Sequence, residues 1–145
     1  MITIATRDRV DELIAALRHE DIYFPVDDAR QALRLGGSFN LIDLESQDKV
    51  DIYVAPPTDQ FAASRLARRV KNNIQGVDTW VTTAEDIILA KLRWRRETRS
   101  ERQWQDCCEL AACNDLDVTY LRTWADHLGV RDDLEEMLEQ RRAAW

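Results

Sequence analysis

The sequence predicts an α+β protein whose first half mixes short strands with helices and whose second half is helical throughout. Two observations carry this. Ser38–Glu45 reads as a strand with Phe39, Leu41, Asp43 and Glu45 on one face and Asn40, Ile42 and Leu44 on the other, and Lys49–Val54 as a strand with Val50, Ile52 and Val54 on one face, the two-residue period of a strand. Beyond Thr82 apolar residues recur at helical spacing, and capping residues (Thr83, Ser100 and Asp117) precede three of the four runs. The change of character divides the chain into residues 1–82, an α/β core, and residues 83–145, a helical region.

The elements follow in order. Ile2–Ala5 reads as a strand, and Thr6 can cap a helix with Val10, Leu13, Ile14 and Leu17 on one stripe, ending near His19. Ile22–Phe24 is extended before Pro25. Asp27 can cap a helix to about Leu35, stopped by Gly36 and Gly37. The two alternating segments then form a hairpin that Pro56 and Pro57 end. Thr58 opens a helix carrying Phe61, Leu66 and Val70, and Gly76 leads into a strand near Val77–Val81. In the second half, Thr83 with Asp86 and Ser100 with Gln103 resemble capping boxes. Asp117 caps a helix bearing Leu121, Trp124, Ala125 and Leu128, which Gly129 terminates, and a last helix begins near Arg131.

Composition narrows the function. The chain has 145 residues, 45% of them hydrophobic and 32% charged, as in soluble globular proteins. No apolar run approaches the ~20 residues that span a bilayer, so no membrane role is expected. The opening residues lack a basic n-region and a small-residue cleavage site, so no signal peptide and a cytoplasmic location are expected. Cys107, Cys108 and Cys113 fall in one helix and read as packing residues. A net charge of −7 argues against a general nucleic-acid coat protein. Basic residues nevertheless concentrate in the middle of the chain, at Arg65–Lys71 and Lys91–Arg102, where they could guide a phosphate-bearing ligand or be ordinary solvated faces.

Candidate site residues stand out against this background. Asp51 is a carboxylate in the middle of the apolar strand Val50–Val54, and a buried charge is costly unless paired or metal-bound. If Ser46-Gln47-Asp48 closes a three-residue loop, Asp43 lies directly opposite Asp51. Like charges so placed repel, and a Mg²⁺ between them would reverse the sign. The alternative is two rim carboxylates in solvent. Lys91 shares the inward stripe of Ala84, Ile87 and Ile88, where it could bind phosphate with Asp106 orienting it. The ordinary alternatives are a snorkelling lysine and an i,i+4 pair of Asp106 with Arg102.

Together, "SFNLIDLESQDKVDIYV", the basic helix from Phe61, "VTTAEDIILAKLRWRRETRSERQWQDCCEL" and "YLRTWADHLGV" resemble the small bacterial nucleotidyltransferase-like proteins related to abortive-infection nucleotidyltransferase toxins. The resemblance implies a nucleotidyltransferase fold of the DNA-polymerase-β kind, with a mixed sheet flanked by helices. It implies two Mg²⁺ ions, an NTP substrate, and transfer of a nucleotide to a nucleic-acid or protein hydroxyl, with RNA a possible ligand of full-length relatives. Asp51 matches the third metal-binding carboxylate of such sites, with Asp43 as a second candidate ligand. Lys91 and Asp106 match helical positions that serve the triphosphate, and Arg102 joins Lys91 in nucleotide binding. The family's Gly-Ser turn and Asp-x-Asp pair have no match upstream of Thr6. Gly37-Ser38 does not replace them, because the second acid would fall on Tyr53 or Val50. The chain is therefore expected to transfer no nucleotide alone. It would be part of a longer protein, an inactive relative kept as a binding module such as one member of a toxin–antitoxin pair, or completed by a second chain, as a protein partner or homo-oligomer.

Overall fold

The computed structural model describes residues 2–4, 10–18, 21–56 and 58–143. It is α+β and forms two compact units, Met1–Ala67 and Arg68–Trp145. The division falls before the change of character seen in the sequence, so a pair of strands ahead of Thr82 belongs with the helices.

The first unit holds β1 (Ile2–Ile4), α1 (Val10–Leu17), β2 (Ile22–Tyr23), α2 (Val26–Leu35), β3 (Gly37–Asp43) and β4 (Lys49–Val54), and most of α3 (Gln60–Arg68). Its sheet has the order β1-β4-β3-β2. The sheet is mixed, because β1 runs parallel to β4 while β3 is antiparallel to both β4 and β2. Alternation sets the core: Phe39, Ile52 and Val54 turn inward to meet Ile14 of α1, Phe24, and Ala29, Ala32 and Leu33 of α2. Those three α2 residues have the i,i+3,i+4 spacing of one helix face.

Several boundaries differ from expectation. The Thr6 cap and the end of α1 near His19 lie outside the described residues. Helix α2 starts after Pro25, whose carbonyl accepts from Ala29 N at 2.9 Å, so Asp27 lies inside the first turn and is not the cap. The fixed φ of proline suits a helix start. Gly36, at φ 86°, ends α2 as expected. Asp59 rather than Thr58 caps α3, its Oδ1 accepting from Ala62 N at 2.9 Å.

The hairpin register also differs. Asn40, not Asp43, faces Asp51, and Phe39 faces Ile52. The strands turn through Leu44–Gln47: Asp43 N donates to Asp48 O at 2.9 Å, and Gln47 N donates to Asp43 O at 3.0 Å. Asp43 Oδ1 accepts from Glu45 N and Ser46 N at 2.9 and 2.8 Å. This carboxylate satisfies the turn's amides, which is what selects the longer loop. The resulting offset is odd (43 against 40), so Asp43 and Asp51 lie on opposite faces of the sheet.

The second unit holds β5 (Val70–Ile74), β6 (Val77–Val81), α4 (Ala84–Thr98), α5 (Glu101–Cys113), α6 (Val118–Leu128) and α7 (Arg131–Ala143). Strand β5 replaces the expected helical course through Val70. It pairs antiparallel with β6 across Gln75-Gly76, both at positive φ (53° and 86°), a two-residue turn that glycine favours. Helix α4 packs on α5 and α6, and α7 packs on the same two. Ile88, Leu89, Leu92, Cys107, Ala111, Leu121, Ala125, Leu134 and Met137 are buried. Among the described residues no helix is long and apolar enough to cross a membrane.

Candidate functional site

On the sheet, Asp51 sits where alternation puts it, on the outer face with Lys49 and Tyr53. Its side chain is 63% exposed and pairs with Lys49 Nζ at 3.3 Å. The cost of a buried charge therefore does not arise. The expected juxtaposition of Asp43 and Asp51 is absent, so these two carboxylates do not fit a shared cation. Asp43 is engaged by its own turn, and the amides of Ser46 and Glu45 hold its pKa below the usual carboxylate value. Among the described residues no group of three or more His, Cys, Asp and Glu side chains is arranged to hold a metal ion.

On the helices, Lys91 and Asp106 do come together. Lys91 extends from α4 toward α5, where its Nζ donates to Asp106 Oδ2 at 2.6 Å and to Gln103 Oε1 at 3.1 Å. Helix–helix packing dictates the meeting: Lys91 follows Ile88 on α4 by three residues and Asp106 precedes Cys107 on α5, while Cys107 Sγ donates to Ile88 O at 3.7 Å. The hydrogen bond from Lys91 holds the Asp106 pKa down, and the charges of Lys91 and Arg102 add to it. Arg102 acts on Asp106 at this lesser, Coulombic level; its own side chain is exposed. The Lys91 side chain is 25% exposed. An ammonium has three donors, so the two acceptors on α5 leave a third N–H for a ligand. Below this group, burial pushes the Cys107 thiol up to about 12, which suits a packing residue rather than a nucleophile.

Gln103 belongs to this cluster although the sequence suggested only a capping role for it. Its signal was the i,i+3 spacing from Asp106, which puts both side chains on one face of α5.

A second polar cluster surrounds Asp86, which is fully buried. Its Oδ1 accepts from Tyr120 Oη at 2.6 Å and its Oδ2 from Thr83 Oγ1 at 3.2 Å. Arg68 lies over the Tyr120 ring, 3.6 Å from its centroid, with Nε 3.7 Å from Asp86 Oδ2 and Nη2 3.5 Å from Glu85 Oε2. Burial tends to raise the Glu85 pKa, yet the hydrogen bond from Asp117 N and the Arg68 charge leave it lowered. This network ties the hairpin's base to α4 and α6. Arg68 Nε is buried without a hydrogen-bond acceptor, but the carboxylates of Asp86 and Glu85 are engaged within the cluster, which makes it structural.

No protein-family model matches the chain, and no curated protein matches it. The functional reading therefore rests on the residues themselves.

Proposed function

We propose that this chain is a nucleotidyltransferase-related protein whose helical unit binds the phosphates of an NTP through Lys91 and which transfers no nucleotide by itself. The observation that carries this is the Lys91 ammonium, held by Asp106 and Gln103 with part of its surface open. An oriented ammonium is a point-charge phosphate ligand. Two-metal transfer uses several convergent carboxylates, and the outer face of β3 and β4 presents Asp51 beside Asn40 rather than beside a second acid. Asp51 is the carboxylate available to Mg²⁺ in this reading, and a lone exposed carboxylate binds it weakly.

Calorimetry with ATP or pyrophosphate tests the proposal. Binding in the millimolar range or tighter is expected, with Lys91→Met weakening it about tenfold, the scale of one charge-assisted hydrogen bond. No binding by the wild-type chain, or equal binding by Lys91→Met, would overturn it. Nucleotide transfer by the purified chain with NTP and Mg²⁺ would overturn the statement about catalysis.

A different observation favours a second reading, a non-catalytic interaction module such as one member of a toxin–antitoxin pair. Val70, Ile74 and Val77 share one face of the β5–β6 hairpin, and each is about half exposed or more. A two-stranded ribbon with an uncovered apolar face is marginal alone. Here the expected result is a stoichiometric partner in the native host, lost on Ile74→Thr with Val77→Thr. Purification of the chain as an unaccompanied monomer would sink this reading.

A further inference from the structure

We infer that Gln103 is a positioning residue that aims the Lys91 ammonium at an oxyanion, an inference that rests on the phosphate-binding reading above. In a Ser-x-x-Gln capping box the serine hydroxyl accepts from the backbone N–H three residues on, and the glutamine reaches back to the serine N–H. Ser100 occupies the N-cap position of α5 yet makes no side-chain cap hydrogen bond. Gln103 turns across to α4 instead and accepts from Lys91 Nζ at 3.1 Å. A local helix-start device is given up for a contact between helices.

The consequence lies in the geometry of the ammonium. One acceptor would leave Nζ free to rotate about its bond to Cε, spreading the other two N–H groups over a cone. Two acceptors, Asp106 Oδ2 at 2.6 Å and Gln103 Oε1 at 3.1 Å, fix that rotation and give the remaining N–H a single direction. The acceptors also divide the electrical work. Asp106 supplies the one counter-charge, and Gln103 restrains the cation without adding a second. A glutamate at position 103 would set two carboxylates against one ammonium and repel an incoming phosphate. Arg102, which acts electrostatically on Asp106, adds a second positive charge to the group.

Two variants and three measurements test this. The ¹⁵N-labelled 145-residue chain is examined for the Lys91 ammonium signal, and pyrophosphate binding is measured by calorimetry. Gln103→Ala is expected to leave the melting temperature nearly unchanged, to broaden the Lys91 ammonium signal, and to weaken pyrophosphate about fivefold, less than loss of the ammonium itself because the charge stays and only its aim is lost. Gln103→Glu is expected to weaken it more at pH 7 and to recover as the pH falls and the new carboxylate takes up a proton, a pH profile that a purely structural residue would not produce. If wild-type protein binds pyrophosphate while Gln103→Ala changes neither signal nor affinity, the positioning role is wrong and the phosphate reading stands. If wild-type protein binds no pyrophosphate although Gln103 sharpens the ammonium signal, the phosphate reading fails and the purpose assigned to Gln103 fails with it.

Discussion

Asp51 in the sheet unit and Asp86 in the helical unit are both acids followed by isoleucine in apolar stretches, and their environments are opposite. Asp51 lies between Val50 and Ile52, yet alternation turns it outward, and its partner is Lys49, two residues back on the same face of its own strand. Asp86 lies before Ile87 and Ile88 in the first turn of α4 and is fully buried. It is satisfied by Thr83 of its own cap and by Tyr120 from another helix, with the Arg68 charge close by. What an acid costs is thus set by the face it occupies and not by the hydrophobicity of the run around it. A strand offers an outer face at every second residue. The first turn of a helix packed between neighbours offers none, but it has a favourable dipole and free amides for a carboxylate.

The largest effect should come from removing the buried acid. Asp86→Ala leaves the Tyr120 hydroxyl without its acceptor and Arg68 with Glu85 as its one remaining carboxylate partner in the cluster, and should cost about 3 kcal/mol in urea unfolding, the scale of breaking a buried ion pair. A loss below about 1 kcal/mol would mean that the environments of Asp86 and Asp51 are energetically equivalent. Tyr120→Phe removes only the donor at 2.6 Å and should cost about 1–2 kcal/mol, ranking below the aspartate variant.

Acid titration sharpens the comparison within the helical unit. Glu135 accepts from Arg122 Nε and Nη2 at 2.8 and 2.9 Å and from Arg131 Nε at 2.9 Å. The hydrogen bonds from Arg122, aided by both guanidinium charges, hold its pKa at about 2 instead of 4.5. Because the folded value is the lower one, this contribution is fully present above about pH 4.5 and is lost as the pH falls toward 2. Melting temperatures of wild type and Glu135→Gln should therefore differ most above pH 5 and converge near pH 2. A constant gap across that range would show that the bidentate pair makes no proton-linked contribution.

Legibility in the sequence followed the same division. Thr83, Asp117 and Gly129 mark helix ends correctly because each acts on its own turn: Asp117 Oδ1 accepts from Tyr120 N at 2.9 Å, and Gly129 adopts φ 67°. Residues whose partners lie on distant elements were less visible. Strand β5 was missed because Leu66 and Val70 stand at a helix-like spacing of four, and only the Gln75-Gly76 turn shows that Val70 and the polar residues after it belong to a strand. The β3–β4 register was missed because it depends on which residue satisfies the turn amides, and Asp43 does so one loop length away from the expected one. The meeting of Lys91 with Asp106 was legible as a possibility, since the inward stripe of α4 requires a partner for a lysine there. The part played by Gln103 was hidden behind a motif that has a local meaning of its own.

The smallest effect should be at Asp51. Its carboxylate is mostly in water, and its contact with Lys49 is an exposed pair of the kind that contributes 0–1 kcal/mol. The cross-strand neighbour is Asn40, so no second acid is relieved by removing the charge. Asp51→Asn should accordingly change stability by less than about 0.5 kcal/mol, and it should leave pyrophosphate binding in metal-free buffer at the wild-type value. The informative measurement is a Mg²⁺ titration followed on the β4 amide resonances. Wild-type shifts that saturate and vanish in Asp51→Asn would give this exposed carboxylate a cation-binding role that its stability contribution does not reveal. Identical responses in the two proteins would leave Asp51 as a solvated strand residue, and the functional weight of the molecule would then fall on Lys91 and its two acceptors.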